Sequence, residues 1–130
     1  MFLSPTSDAE VFKVIHALKN SGACGDDELK VKPIKAIANI ISLPFSAICD
    51  KILSTGVFPP KLKIARVSMI HKGGPINTLN NYRPISVLPI FSKVIETIIN
   101  SRLSDHFSKH SLIVKQQYGF QKGKSTEELY

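Results

Sequence analysis

The sequence predicts an α+β fold, mainly helical, with one β-hairpin. Three observations carry that expectation. A helix-start signature at residues 7–10 opens an apolar pattern of helical spacing. A long 3–4 apolar rhythm runs from residue 34 to residue 52. An alternating run at 63–71 is separated from RPISVL by a polar, glycine-containing loop. Spacings of three and four put side chains on one face of a helix, and alternation puts them on one face of a strand.

Ser7-Asp8-Ala9-Glu10 is a capping box, in which the Ser oxygen and the Glu carboxylate serve the free backbone donors of a helix start. Val11, Phe12, Ile15 and Leu18 follow at helical spacing, and Gly22 and Gly25 end the run. Pro33 suits a second helix start. Ile34, Ile37, Ile41, Phe45, Ile48 and Ile52 then predict a long helix, kinked or split at Pro44 and closed by Gly56. GVFPPK reads as a turn. In the run 63–71, Ala65, Val67 and Met69 share one side while Arg66 and Ser68 take the other, which predicts a strand. RPISVL predicts the returning strand. Pro89 opens a further helix with Phe91, Val94, Ile95, Ile98, Ile99, Leu103 and Phe107 inward. Residues 110–124 read as loop. Ser125-Thr126-Glu127-Glu128 is a second capping box, two residues before Tyr130, so the chain reads as cut within a longer polypeptide.

The chain has 130 residues, room for one modest core. Its apolar runs fall far short of the ~18 residues of a membrane span, and its first residues have neither the basic nor the apolar region of a secretory signal. An intracellular protein without a membrane partner is expected, the nucleus and the cytoplasm both remaining open. Cys24 and Cys49 lack Cys or His neighbours at metal-binding spacing and read as reduced thiols. The net charge of +7 is uneven: residues 1–50 carry five Lys against six acids, and residues 51–130 carry twelve Lys or Arg against four acids. A basic second part points to a polyanion, with a solvated Lys-rich surface as the other reading.

Chemistry is sparse. Gly25-Asp26-Asp27 has the composition of a metal-holding polymerase turn, but such a turn joins two apolar strands, and this one lies between helices. It reads as a loop. No paired carboxylates sit on strands, so no two-metal site and no catalytic residue is predicted. His106 and His110 are one helical turn apart without a third ligand, and no metal site is expected. Lys93 and Glu96 are spaced for a structural ion pair. The cations of HKGGPINTLNNYRPIS are left. Lys72 precedes Gly73-Gly74, where backbone can approach a ligand, and Arg83 begins the return strand. A Lys point charge and an Arg fork both suit phosphate oxygens, although a plain hairpin turn explains the same residues.

ARVSMIHKGG, NYRPISVLPIFSKVIE and QYGFQKGKST, in that order, resemble the fingers region of the reverse transcriptases of jockey-like, non-LTR retrotransposons. FLSPTSDAEVFKVIHALKNSGACGDD and STGVFPPKLKIA are similar to the segments that precede it, so the resemblance covers nearly the whole chain. It implies the fingers and part of the palm of a right-hand polymerase, with residues 1–130 as the N-terminal part of a reverse transcriptase domain that stops before the catalytic aspartates. By position, Lys72 and Arg83 would bind the triphosphate of the incoming nucleotide, and Gln117, Gly119 and Phe120 would border its pocket. The family has an Arg after Gly-Phe where this chain has Gln121; Lys122 and Lys124 would supply that charge. Arg66 and Arg102 would meet template or primer backbone, surface charge being the other reading. The implied partners are an RNA template, a DNA primer, a deoxynucleoside triphosphate and the remaining palm and thumb. Magnesium is implied for the full-length family but not for this segment, which is expected to be inactive alone. A basic nucleic-acid-binding module without catalysis and a functionless relic of a transposable element are the alternatives.

Overall fold

The computed structural model describes residues 4–20, 22–114, 117 and 119. Four helices and one hairpin follow in order: α1 (Asp8–Ala17), α2 (Val31–Ala36), α3 (Ala38–Thr55), β1 (Arg66–His71), β2 (Tyr82–Val87) and α4 (Ile90–Lys109). Short 3-10 turns occupy Pro60–Lys63 and Leu79–Asn81. The expected α+β class, mostly helical with a two-stranded antiparallel sheet, is the one observed.

Only half of the first capping box forms: the Ser7 hydroxyl serves the helix start, while the Glu10 carboxylate pairs with Arg102 instead of the Ser7 N–H. Ser7 is the N-cap of α1, and its Oγ accepts from the Glu10 backbone N–H at 3.1 Å. The helix ends at Ala17, with Leu18 as its cap, well before the glycines expected to stop it. Val11 and Ile15 are buried, whereas Phe12 lies outside and meets the His16 ring at a tilt, with ring centroids 4.3 Å apart.

The long apolar stretch is split at a different residue from the one expected. The break falls at Ile37, with φ −109° and ψ 11°, and α3 continues through Pro44. Pro44 is on the exposed side of α3. The carbonyl that loses its N–H partner there, that of Ile40, faces water, which can take the missing donor's place. The buried stripe also differs: Ile34, Ala38, Ser42, Phe45, Cys49 and Ile52 face inward, while Ile37 and Ile48 are exposed. Ser42 satisfies its hydroxyl inside the helix by donating to the Ala38 carbonyl at 2.6 Å.

The core forms where α1, α3 and α4 meet: Val11 and Ile15, Phe45, Cys49 and Ile52, and Val94, Ile95 and Ile98. Each such aliphatic side chain contributes roughly 1.5–3 kcal/mol on burial. Phe45 and Phe91 pack with ring centroids 4.7 Å apart, and the Ser92 hydroxyl donates to the Leu62 carbonyl, which ties the first 3-10 turn to α4. Towards the end of α4 the pattern loosens. Phe107, expected inward, is exposed, and Lys93 and Glu96 form no ion pair. The single ion pair among the described residues joins Arg102 to Glu10.

The GDD loop is structural, as read. Gly25 is buried, and a Cβ there would sit 2.7 Å from the Pro89 backbone nitrogen, so only glycine lets this loop lie against the start of α4. Asp27 Oδ1 accepts from the Leu29 N–H at 3.3 Å.

Cys24 is half-buried and Cys49 buried, and both are free thiols. Burial first, then the nearby Asp50 and Glu10 charges, push the Cys49 thiol up to about 11. No described helix is long and apolar enough to cross a membrane.

Candidate functional site

Between the strands, residues 72–81 make a structured turn. Lys72 extends the ladder, its N–H donating to the Asn81 carbonyl at 2.8 Å. Gly73 and Gly74 follow with φ +110° and +85°, a conformation that side-chain-bearing residues adopt only under strain. The Thr78 N–H donates to the Pro75 carbonyl, and the Asn81 N–H donates to that of Thr78. The Asn81 side chain donates through Nδ2 to the Pro75 carbonyl at 2.9 Å, and the Tyr82 hydroxyl donates to the Ile76 carbonyl at 3.0 Å.

The pairing register decides which side chains share a face. Ile70 lies opposite Arg83, Ser68 opposite Ile85 and Arg66 opposite Val87. Opposed residues project to the same face, and alternate residues along a strand do likewise. Arg66, Ser68, Ile70, Arg83, Ile85 and Val87 therefore form one face, and Lys72, two residues beyond Ile70, continues it. The other face holds Val67, Met69, His71, Tyr82, Pro84 and Ser86, with the His71 and Tyr82 rings 5.1 Å apart. Pro84 fits in β2 because its position opposite Met69 is one whose nitrogen points away from β1, so no ladder bond is lost.

Three of the cations singled out in the sequence thus lie on one face. Lys72 and Arg83 are diagonal neighbours across the ladder. Arg66 lies four residues before Ile70, roughly 13 Å along the strand, too far to share one phosphate group with the pair. All three are exposed, and none of them is in an ion pair among the described residues.

Arg102 has a different occupation. It reaches from α4 to the N-terminal segment, donating Nη1 to the Ser4 carbonyl at 2.6 Å and Nη2 to Thr6 Oγ1 at 3.2 Å. It also grips Glu10 with both Nη2 (2.7 Å) and Nε (3.3 Å). The template or primer contact expected of it meets a guanidinium already engaged inside the fold. A cleft of about 660 Å³ opens beside it, lined by Glu10, Asp105, His106, Lys109 and His110 among others. His106 and His110 bring their rings to 4.4 Å, but among the described residues no three His, Cys, Asp or Glu converge.

Gln117 is exposed and donates Nε2 to the half-buried Gly119 carbonyl at 2.9 Å, a bond within its own motif. Phe120, Lys122 and Lys124, like the second capping box, lie outside the described residues. Asn81 and Tyr82, which brace the hairpin turn, are weakly marked in the sequence. The available signal was an Asn closing a Gly-Gly-Pro turn, a residue type whose side chain bonds to nearby backbone.

No family model matches the chain. Three curated proteins of Drosophila melanogaster are similar to it along nearly its whole length. The probable RNA-directed DNA polymerase from transposon BS is 33% identical over 127 residues, 97% of this chain and 14% of that protein. The probable RNA-directed DNA polymerase from transposon X-element is 33% identical over 129 residues, 98% of this chain and 14% of that protein. The RNA-directed DNA polymerase from mobile element jockey is 33% identical over 127 residues, with shares of 97% and 14%. The chain thus corresponds to a segment of the RNA-directed DNA polymerases of transposable elements. These relatives are of the jockey-like group of reverse transcriptases of non-LTR retrotransposons, and the chain, similar to them along nearly its whole length, spans about 14% of theirs.

Proposed function

We propose that this chain is the nucleotide-gripping part of a non-LTR reverse transcriptase, the fingers and the start of the palm, with residues 1–130 as the N-terminal part of the polymerase domain. Lys72 and Arg83 hold the triphosphate of the incoming deoxynucleotide. The observation that carries this reading is their position as exposed diagonal neighbours on one face of the hairpin. The relatives, named as RNA-directed DNA polymerases, supply the reaction.

In nucleotidyl transfer, negative charge grows on the phosphate oxygens, and cations held in place beforehand stabilise it. Lys72 offers a point charge and Arg83 a planar fork for two oxygens. Ile70 and Ile85, on the same face, give the sugar and base an apolar surface. Arg66, further along that face, meets the backbone of a template strand. Gln117, Gly119 and Phe120 border the nucleotide, and Lys122 and Lys124 add charge to that border. Catalytic metal chemistry falls to carboxylates beyond the described residues; the 130 residues contain no Tyr-x-Asp-Asp turn.

Titration of the purified chain with a deoxynucleoside triphosphate tests the grip. Binding that Lys72→Ala and Arg83→Ala each weaken supports it; binding that neither changes overturns it. The same preparation extends no primer on an RNA template, and DNA synthesis by it would sink the claim of inactivity.

A second reading has its own support in the excess of positive charge after residue 50 and the cationic face that includes Arg66. In it, the chain binds single-stranded nucleic acid without catalysis. Affinity then falls with salt, and removing Lys72 and Arg83 together lowers the slope of log affinity against log salt by about 1.4, for two phosphate contacts. Binding indifferent to salt rules this out.

A further inference from the structure

Asn81 makes three bonds that close the turn between the two cations. Its carbonyl accepts from the Lys72 N–H at 2.8 Å, its N–H donates to the Thr78 carbonyl at 2.9 Å, and its side chain donates to the Pro75 carbonyl at 2.9 Å. The side chain also fills the inside of the turn: a Cβ on Gly74 would lie 2.8 Å from Asn81 Nδ2. Asn81 stands two residues before Arg83 and directly across the ladder from Lys72. The same residue therefore braces the turn and sets where the Lys72 stem leaves the backbone relative to Arg83.

We infer that Asn81 is a positioning residue for phosphate binding, holding Lys72 in place relative to Arg83 without touching the phosphate itself. This rests on the proposed role of that pair. A turn of two glycines and eight other residues, exposed to water almost throughout, has little burial to order it. Its order comes from these backbone bonds and from the one side chain that reaches across it. Without the Asn81 amide the Pro75 carbonyl turns to water and the turn samples other conformations. The Lys72 charge is then held in place only on binding, at an entropic cost the native turn has already met. The helical body, whose core lies between α1, α3 and α4, does not feel the change.

The test uses the full 130-residue chain and sodium tripolyphosphate at fixed ionic strength, with Lys72→Ala, Asn81→Ala and the double variant. Amide exchange of Lys72 and urea melts are measured on each asparagine form. The expected result has three parts. Asn81→Ala weakens binding roughly three- to tenfold, the range for one side chain that loses its preorganisation. The double variant is no weaker than Lys72→Ala alone, because the brace acts only through that lysine. The Lys72 amide exchanges faster while the melting midpoint stays put. Gly74→Ala, which drives the Asn81 side chain out of the turn, reproduces the loss. If wild type binds, Lys72→Ala weakens binding and Asn81→Ala does not, the inference fails and the pair stands. Additive losses in the double variant also overturn it, since they assign Asn81 an effect independent of Lys72. If wild type and Lys72→Ala bind tripolyphosphate equally or not at all, the role of the pair fails, and this inference with it.

Discussion

Val94, on α4, is completely buried between helices; Val67, on β1, is 60% exposed. The two valines sit in one chain but in regions built differently. The body is held by apolar burial, with Ile15, Ile90, Ile95 and Ile98 all nearly inaccessible to water. The hairpin has no buried residue in either strand and is held by its ladder and by the Asn81 and Tyr82 bonds across its turn. An isolated two-stranded hairpin is marginal in water. Its strands pack chiefly on each other, and Arg66, Lys72 and Arg83, the cations of the proposed grip, lie on one of its faces. Stability and proposed function are thereby separated along the sequence: substitutions in one region should leave the other largely untouched.

The largest expected effect tests that separation directly. Ile95→Ala removes buried volume between helices and should cost about 2–5 kcal/mol in a urea melt followed by helical circular dichroism. Ile70→Ala on the hairpin should change the same melt by less than about 0.5 kcal/mol. Equal losses would mean that the hairpin is part of the cooperative unit and that the comparison is wrong.

Arg102 comes next, because it is a cation of the basic part that belongs to the body. Its side chain is 11% exposed and Glu10's is 32%, so solvent screens the pair only in part. Arg102→Met should cost about 1.5–3 kcal/mol, the range for hydrogen bonds to charged groups. It should leave the salt dependence of nucleic-acid binding as it was. A lowered salt slope with an unchanged melt would move Arg102 from the body to the binding surface.

The smallest effect concerns Cys49. Its folded-state ionisation lies at about 11 against an ordinary 9.0, raised first by burial. The unfolded chain therefore loses this proton at lower pH than the folded one. The contribution of the thiol to stability is complete below pH 9 and is lost as pH rises towards 11. The melt of wild type should fall across that window by more than the melt of Cys49→Ala. Parallel falls would show that the thiol is not held in a dry core. Cys24, half-buried, serves as the internal contrast and should react with a thiol reagent well before Cys49.

Much of this was legible in the residues. The Ser7 cap, the alternation in β1, the return strand and the apolar centre of α4 all appear where local chemistry puts them. Lys72 and Arg83, proposed as the grip, stand out in the sequence as cations flanking a Gly-Gly turn. The misread positions have a common cause. Ile37, Ile48 and Phe107 are as apolar as the core residues, and periodicity ranks residues by hydrophobicity, whereas burial depends on which neighbour arrives. Ala38, Ser42 and Cys49 hold inner positions of α3 although they are smaller or more polar than the exposed Ile37 and Ile48. Pro44 does not split α3, because a proline's cost depends on whether the stranded carbonyl lies on the exposed or the buried side.

The sequence by itself determined the class of element at each stretch, the uneven charge and the kinship with jockey-like reverse transcriptases, since these depend on residue type and local spacing. Tertiary structure alone decided three further things: that Arg102 is spent on Glu10 and the N-terminal segment, that Gly25 must be glycine because Pro89 lies against it, and that Arg66, Lys72 and Arg83 share a face. Each is a meeting of residues distant in the chain or opposed across a ladder. Spacing along a chain carries no record of such meetings until the chain has folded.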